Sequence, residues 1–169
     1  MSIITDIIIL NKFAEVYFVG IINIISSVLT PIIAITTVYI AIQQYITNSK
    51  KLKLDLYQKR YNCYRIIKEY LKKIRVIKGE NILDELFIFE SEISESEFLF
   101  SKNIKNFITE IISDSVQLAK DFENMQSIDI DESIRNSSIQ RKKEILINFN
   151  NKLTNLGKTF IDYLDFRKI

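Results

Sequence analysis

A chain of 169 residues, 23 of them basic and 21 acidic, is one domain's worth of polypeptide, or one domain and an anchor. It has no histidine, a single cysteine (Cys63) and three glycines. That excludes a His general base, a Ser-His-Asp triad, an internal disulfide, a thiolate zinc cluster and a Gly-rich phosphate loop.

Residues 1–15 form a short tail. Ile3, Ile4, Ile7, Ile8, Ala14 and Phe18 share one helical face, with Asp6 and Lys12 elsewhere and Asn11 and Glu15 breaking the pattern. The tail reads either as an interfacial amphipathic start or as an extension of the helix that follows.

Residues 16–49 carry no charge. This run exceeds the roughly 20 residues needed to cross a hydrocarbon core. A cleavable signal peptide has an apolar region of about 7–15 residues ending at small residues; this run is longer and ends in Gln43-Gln44-Tyr45-Ile46. Two crossings need on the order of 40 apolar residues plus a turn, so one retained transmembrane helix is expected. Lys50, Lys51, Lys53, Lys59, Arg60 and Arg65 follow it, against Asp6, Lys12 and Glu15 before it. The positive flank stays cytoplasmic, which puts the N-terminus outside and residues 50–169 in the cytosol. A lone cysteine suits that reducing compartment. Abundant Ile, Asn and Lys suggest an AT-rich bacterial genome, hence a bacterial inner membrane.

Pro31 lies inside the span, where a kink is expected. Asn23, Ser26, Thr30, Ala34, Thr37, Ala41 and Gln44 recur at steps of 3 or 4 and form one small or polar stripe. Ile22, Ile25, Leu29, Ile32, Ile33 and Ile40 fill the rest. Small residues allow backbones to approach, and Asn or Ser can bond across an interface. Helix–helix association is the favoured reading. The others are a stripe whose hydroxyls simply bond the preceding turn, and a pore, for which the span offers no charged ring.

No proline or glycine falls between Pro31 and Gly79, so the anchor is expected to continue into the cytosol as one helix and to stop near Gly79. Leu54, Tyr57, Tyr61, Tyr64, Ile67, Leu71 and Ile74 give it an apolar face. Asp55–Lys59 and Glu69–Lys73 are favourable i, i+4 pairs. A short helix is expected after Asn81, with Leu83, Leu86 and Phe87 inward. Ser94-Glu95-Ser96-Glu97 reads as a capping box. Ile104, Phe107, Ile108, Ile111, Ile112, Ser115, Leu118, Ala119 and Phe122 define the next helical face. Residues 126–138 read as a polar connector in which Ile128 and Ile130 have the option of packing. Ile139, Lys142, Leu146, Phe149, Leu153, Leu156, Phe160 and Tyr163 define the last face at coiled-coil spacing, with Lys142 the one misfit. The fold class is therefore all-α: an N-terminal transmembrane helix continuing into a cytosolic antiparallel bundle of three or four helices. Its expected core includes Tyr61, Tyr64, Ile67, Leu71, Phe107, Ile111, Leu118, Leu153, Leu156 and Phe160.

Charge follows the same partition. Residues 50–78 hold 11 basic and 2 acidic residues, 79–132 hold 3 and 14, and 133–169 hold 8 and 3. An acidic middle folding between two basic helices neutralises this field. Lys50, Lys51 and Lys53 lie where anionic lipid headgroups attract them, and that reading is preferred to a nucleic-acid site. Glu80, Asp84, Glu85, Glu90, Glu92, Glu95 and Glu97 do not match an EF-hand loop and read as a solvated acidic face. Cys63, among Tyr61, Tyr64 and Ile67, reads as a small core residue. No catalytic residue, cofactor or metal is expected.

The segment Lys51-Leu52-Lys53-Leu54-Asp55-Leu56-Tyr57-Gln58-Lys59-Arg60-Tyr61-Asn62-Cys63-Tyr64 follows the span directly. Further on come Glu97-Phe98-Leu99-Phe100 with Ile104, and Phe160-Ile161-Asp162-Tyr163-Leu164-Asp165-Phe166. In this order they resemble a broad group of uncharacterised bacterial single-pass membrane proteins, with K-L-R-L-D-L-F-D-K-R-Y-x-V-Y after the span, then R-F-L-F-x-x-x-I and F-x-x-Y-L-x-F. Gln58 replaces an acidic residue of that pattern and Glu97 a basic one. The resemblance implies architecture and no catalytic residues.

Two function classes fit these features. One is a non-enzymatic membrane effector or accessory subunit, for example in stress or phage defence, associating through its anchor as a homo-oligomer or with a partner subunit. The other is a membrane scaffold that localises a cytosolic protein. An enzyme or transporter is disfavoured.

Overall fold

The computed structural model describes residues 2–77, 79–127 and 129–165; the side chains of residues 2–9 and of Glu80 lie outside that description. The expected face of Ile3, Ile4, Ile7 and Ile8 lies outside the described side chains, and Ile128 and Phe166 lie outside the described residues. The described residues are all helical apart from short connections: α1 Ser2–Ile74, α2 Ile82–Ile93, α3 Ser96–Leu99, α4 Lys102–Gln126 and α5 Glu132–Leu164, with a 3-10 turn at Gly79–Asn81. Two compact units divide the chain, Met1–Lys51 and Leu52–Ile169. The described residues of the first are helix alone, and the helix continues unbroken through Pro31.

The second unit holds the core. The last turns of α1 bury Cys63, Ile67, Tyr70, Leu71 and Ile74. The apolar face is therefore centred on Ile67 and Leu71, and Tyr61, expected inside, is 48 % exposed. Tyr61 instead stacks on the outside between Tyr57 and Tyr64, at centroid separations of 6.2 and 6.0 Å. The helix ends at Ile74, before Gly79. Gly79 has another duty. A Cβ there would lie 2.6 Å from the Phe122 ring and 2.8 Å from its Cβ, so the glycine lets the connection pass directly over α4.

Helix α2 buries Ile82, Leu86, Phe89 and Ile93. This corrects the expected face: Leu83 and Phe87 are exposed, Phe87 by 75 %. The rotation is fixed by Phe89, whose ring stacks on Tyr70 with centroids 4.1 Å apart. The expected capping box does not form. Ser94 closes α2 and donates its hydroxyl to the Ser91 carbonyl, and α3 begins after Glu95 with no side-chain cap.

Helix α4 turns inward the face read from its sequence, with Ile104, Ile108, Ile111, Ser115, Leu118 and Ala119 buried and Phe107, Ile112 and Phe122 partly buried. The polar connector is shorter than expected. Asp131 caps α5 by accepting from the Ser133 amide at 2.7 Å, so the helix starts at Glu132 and residues up to 138 belong to it. Cap acceptance also holds the Asp131 carboxyl below its ordinary range. Along α5, Phe149, Leu156 and Phe160 are buried, while Ile139 is exposed and Ser138 takes the inward position. Lys142 fits after all: its ammonium lies 3.9 Å from the centroid of the Phe122 ring, a cation–π contact that keeps the charge solvated while the stem packs.

The acidic middle pairs with both basic flanks. Lys59 meets Glu95 at 3.5 Å and Lys73 meets Glu85 at 2.5 Å. Lys152 reaches Glu110 and Asp114 at 3.2 and 3.1 Å, and Arg141 reaches Asp121 at 2.7 Å. Lys59 and Lys73 thus leave the i, i+4 partners expected for them. Glu69 takes Lys72 instead, at 2.9 Å.

Candidate functional site

The first unit carries the strongest chemical signal. Among the described residues one helix is long and apolar enough to cross a membrane, and none of its apolar window is buried. A core helix of a water-soluble fold hides such a face; here Ile22, Ile25, Leu29, Ile32, Ile33 and Ile40 are all exposed.

Within that helix the stripe divides into two kinds of residue. Thr30 donates to the Ser26 carbonyl and Thr37 to the Ile33 carbonyl, both at 2.8 Å. Ser27 and Thr36, off the stripe, do the same with Ile24 and Ile32 at 2.7 and 2.8 Å. These hydroxyl protons are satisfied locally and need no second helix. Asn23, Ser26 and Gln44 have no side-chain hydrogen bond among the described residues. Ala34 and Ala41 contribute only smallness. The hydrogen-bonding capacity left open along the stripe therefore lies in two carboxamides and one hydroxyl, a distinction that spacing alone does not make. Lys50, Lys51 and Lys53 are exposed, with no ion pair among the described residues.

In the second unit, the three segments singled out after the span meet at one place. Arg60 Nε donates to the Leu99 carbonyl at 3.2 Å, and its guanidinium lies 5.6 Å from the centroid of the Tyr163 ring. Phe100 packs edge-on against Phe160 and Tyr163, each at 5.3 Å, and Tyr64 against Phe160 at 5.7 Å. The Ser101 and Tyr163 hydroxyls share a short hydrogen bond. Sequence order held no hint of this convergence. It makes the segments parts of one aromatic junction rather than separate sites.

Two buried polar contacts escaped the sequence reading. Tyr70 donates to Ser115 Oγ at 2.7 Å, and Ser115 donates to the Ile111 carbonyl at 2.8 Å. Burial pushes the Tyr70 phenol up to about 12, helped by Glu85 and Glu90 and opposed by the Ser115 bond. Asp121 is fully buried and held by Arg141 Nη2 and Nε at 2.7 and 3.1 Å, with Gln117 donating at 3.3 Å. Spacing put Ser115 on the inward face of α4 but did not show its partner, and it left Asp121 off that face.

Among the described residues no group of three His, Cys, Asp or Glu side chains is placed to hold a metal ion. Of the acidic side chains of 84–97, Glu85 and Glu95 pair with α1, and Asp84, Glu90, Glu92 and Glu97 lie on exposed helix surface. Cys63 is 4 % exposed, and burial, then Glu95, raises its thiol above the ordinary range. A buried, protonated thiol without a basic partner is a poor nucleophile.

No family model, curated protein or solved structure matches this chain.

Proposed function

We propose that this chain is a non-enzymatic, membrane-anchored effector or accessory subunit of a bacterial inner membrane. Residues 16–49 cross the bilayer once, with the N-terminus outside and the helical unit in the cytoplasm. The stripe from Asn23 to Gln44 associates with a second copy or a partner subunit. Lys50, Lys51 and Lys53 meet anionic headgroups, and the helical unit takes a protein partner.

The observation that carries this reading is the apolar window, none of which is buried by its own chain. Exposed to water, so many isoleucine and valine side chains would forfeit roughly 1.5–3 kcal/mol each; a bilayer removes that cost. The lysines that follow set the sense of insertion. Lone Cys63, buried and protonated, and the lack of histidine support a role without covalent chemistry.

Reporter fusions test the topology. A fluorescent protein that matures only in the cytoplasm is expected to glow on the C-terminus, while alkaline phosphatase fused there stays inactive. The opposite pair of results refutes the orientation. Expression of the chain alone tests the role: an effector depolarises or arrests cells, an accessory subunit co-purifies with a stoichiometric partner. A monomer that does neither refutes the proposal.

A further inference from the structure

We propose that the groove between the end of α1 and α2 receives the same groove of a second copy of this chain, so that the basic wall of each faces the acidic wall of the other.

The groove encloses about 750 Å³ and lies wholly in the second unit. Its floor is apolar: Ile66 is partly buried, and Tyr70 and Phe89 are stacked. Val76 and Ile88 rim it and stay 83 % and 49 % exposed. Of its polar lining, Glu69 pairs with Lys72 and Lys73 with Glu85. An open apolar strip between two helices is the shape that buries another helix pair.

Charge selects the occupant. The α1 wall carries Arg65, Lys72 and Lys73, and its acidic residue, Glu69, is paired with Lys72 at 2.9 Å. The α2 wall carries Glu85 and Glu92. The helices run antiparallel, since Lys73 bridges to Glu85 at one end and Lys59 to Glu95 at the other. Arg65 and Glu92 therefore lie near one level between those bridges, as do Glu69 and Ile88. A two-fold axis lying along the groove places α1 of one copy over α2 of the other. Lys73 and Glu85 already pair within each copy, so the charges that meet across the axis are Arg65 and Glu92 of the second copy, while the apolar strips cover each other. A face with opposite charges on its two sides is self-complementary under such a two-fold.

This surface is independent of the anchor stripe. The inward face of α1 is not available for such contact, since Ile67, Leu71 and Ile74 are buried in the core.

Disulfide crosslinking in membranes reads the contact directly, whatever the anchor does. Full-length chains carrying Cys63→Ala with either Glu69→Cys or Ile88→Cys, differently tagged, are co-expressed. Oxidation is expected to join the two different chains. Arg65→Glu or Glu92→Lys alone should lower the yield about tenfold, because each reversal acts at both ends of a two-fold. The pair together should restore it. Unchanged unfolding midpoints confirm that both reversals fold. The same crosslink persisting with Asn23, Ser26 and Thr30 changed to leucine separates the groove from the anchor. No crosslink with a wild-type anchor, or a crosslink indifferent to both reversals, overturns the proposal.

Discussion

Asp121 on α4 and Arg141 on α5 form a forked pair in which the carboxylate is fully buried and the guanidinium remains 42 % exposed. The bond raises the Arg141 pKa further above its ordinary value. Ser138, also buried, accepts from Arg141 at 3.1 Å and from Asn124 at 3.3 Å. The pair fixes how α5 is rotated against α4, because sliding either helix by one residue strands the carboxylate without its partner.

Arg141→Ala should therefore cost more than an ordinary surface truncation. Removing the arginine leaves the buried Asp121 carboxylate uncompensated, while the exposure of the arginine moderates the loss. Asp121→Ala in the same chain should recover part of the loss, because the uncompensated charge is gone. A double-mutant cycle from urea unfolding of the full chain in detergent measures the coupling. Additive effects would show that the pair contributes nothing beyond its two side chains.

The two glycines of the second unit should respond in opposite senses. Gly79→Ala puts a methyl group 2.6 Å from the Phe122 ring, and such overpacking costs about 1–3 kcal/mol. Gly157 lies inside α5, and a Cβ added there would meet nothing within 4 Å. Gly157→Ala should stabilise by about 0.5–1 kcal/mol through helix propensity. Thermal melts of the two variants against wild type check the pair of signs.

Tyr70 gives the fold a dependence on alkaline pH. Its phenol is raised to about 12 in the folded chain against 10.0 in the free side chain. The folded state therefore holds the proton more tightly. The stability this supplies is full below pH 10 and is lost as pH rises through about 12. A shift of that size corresponds to about 2–3 kcal/mol at full loss. Spectrophotometric titration should show a tyrosine component near pH 12, and Tyr70→Phe should remove it. The same variant should flatten the decline in stability between pH 10 and 12. Ser115→Ala, which removes the hydroxyl that favours ionisation and leaves the buried phenol without its acceptor, should cost about 1–3 kcal/mol near neutral pH.

Sequence periodicity revealed α4 almost residue by residue, because nine inward positions repeat without interruption from Ile104 to Phe122. It failed on α2. There Ile82, Leu83, Leu86, Phe87, Ile88 and Phe89 offer two competing stripes, and only the ring stack of Phe89 on Tyr70 chooses between them. It failed likewise at Ser94, where the sequence of a capping box is present but the hydroxyl turns back to Ser91. Lys142 looked out of place because pattern reading counts charge and not the aromatic face beneath it. In the apolar stretch of α1, the positions of the stripe were legible from spacing. Which of them hold their hydrogen bonds at home was not, since that depends on rotamer and backbone geometry.

That last distinction sharpens what the anchor should do. Thr30 and Thr37 already donate within their own helix, so Thr30→Val and Thr37→Val remove no proton that an interface needs. Asn23 is different: its carboxamide has two donors and an acceptor and no partner among the described residues. In hydrocarbon such a group gains by pairing with another helix, by about 0.6 kcal/mol in folded membrane proteins and about 1–2 in model peptides. In a symmetric dimer the two Asn23 side chains serve each other. Asn23→Leu should then loosen assembly by roughly threefold to thirtyfold, while insertion is undisturbed because leucine favours the bilayer. Asn23→Gln should retain most of the affinity, since it keeps the carboxamide. Förster transfer between labelled chains, titrated against detergent or lipid, gives the dissociation constants. Loss of assembly in Thr30→Val equal to that in Asn23→Leu would assign the interface to close packing along the stripe and not to the carboxamide.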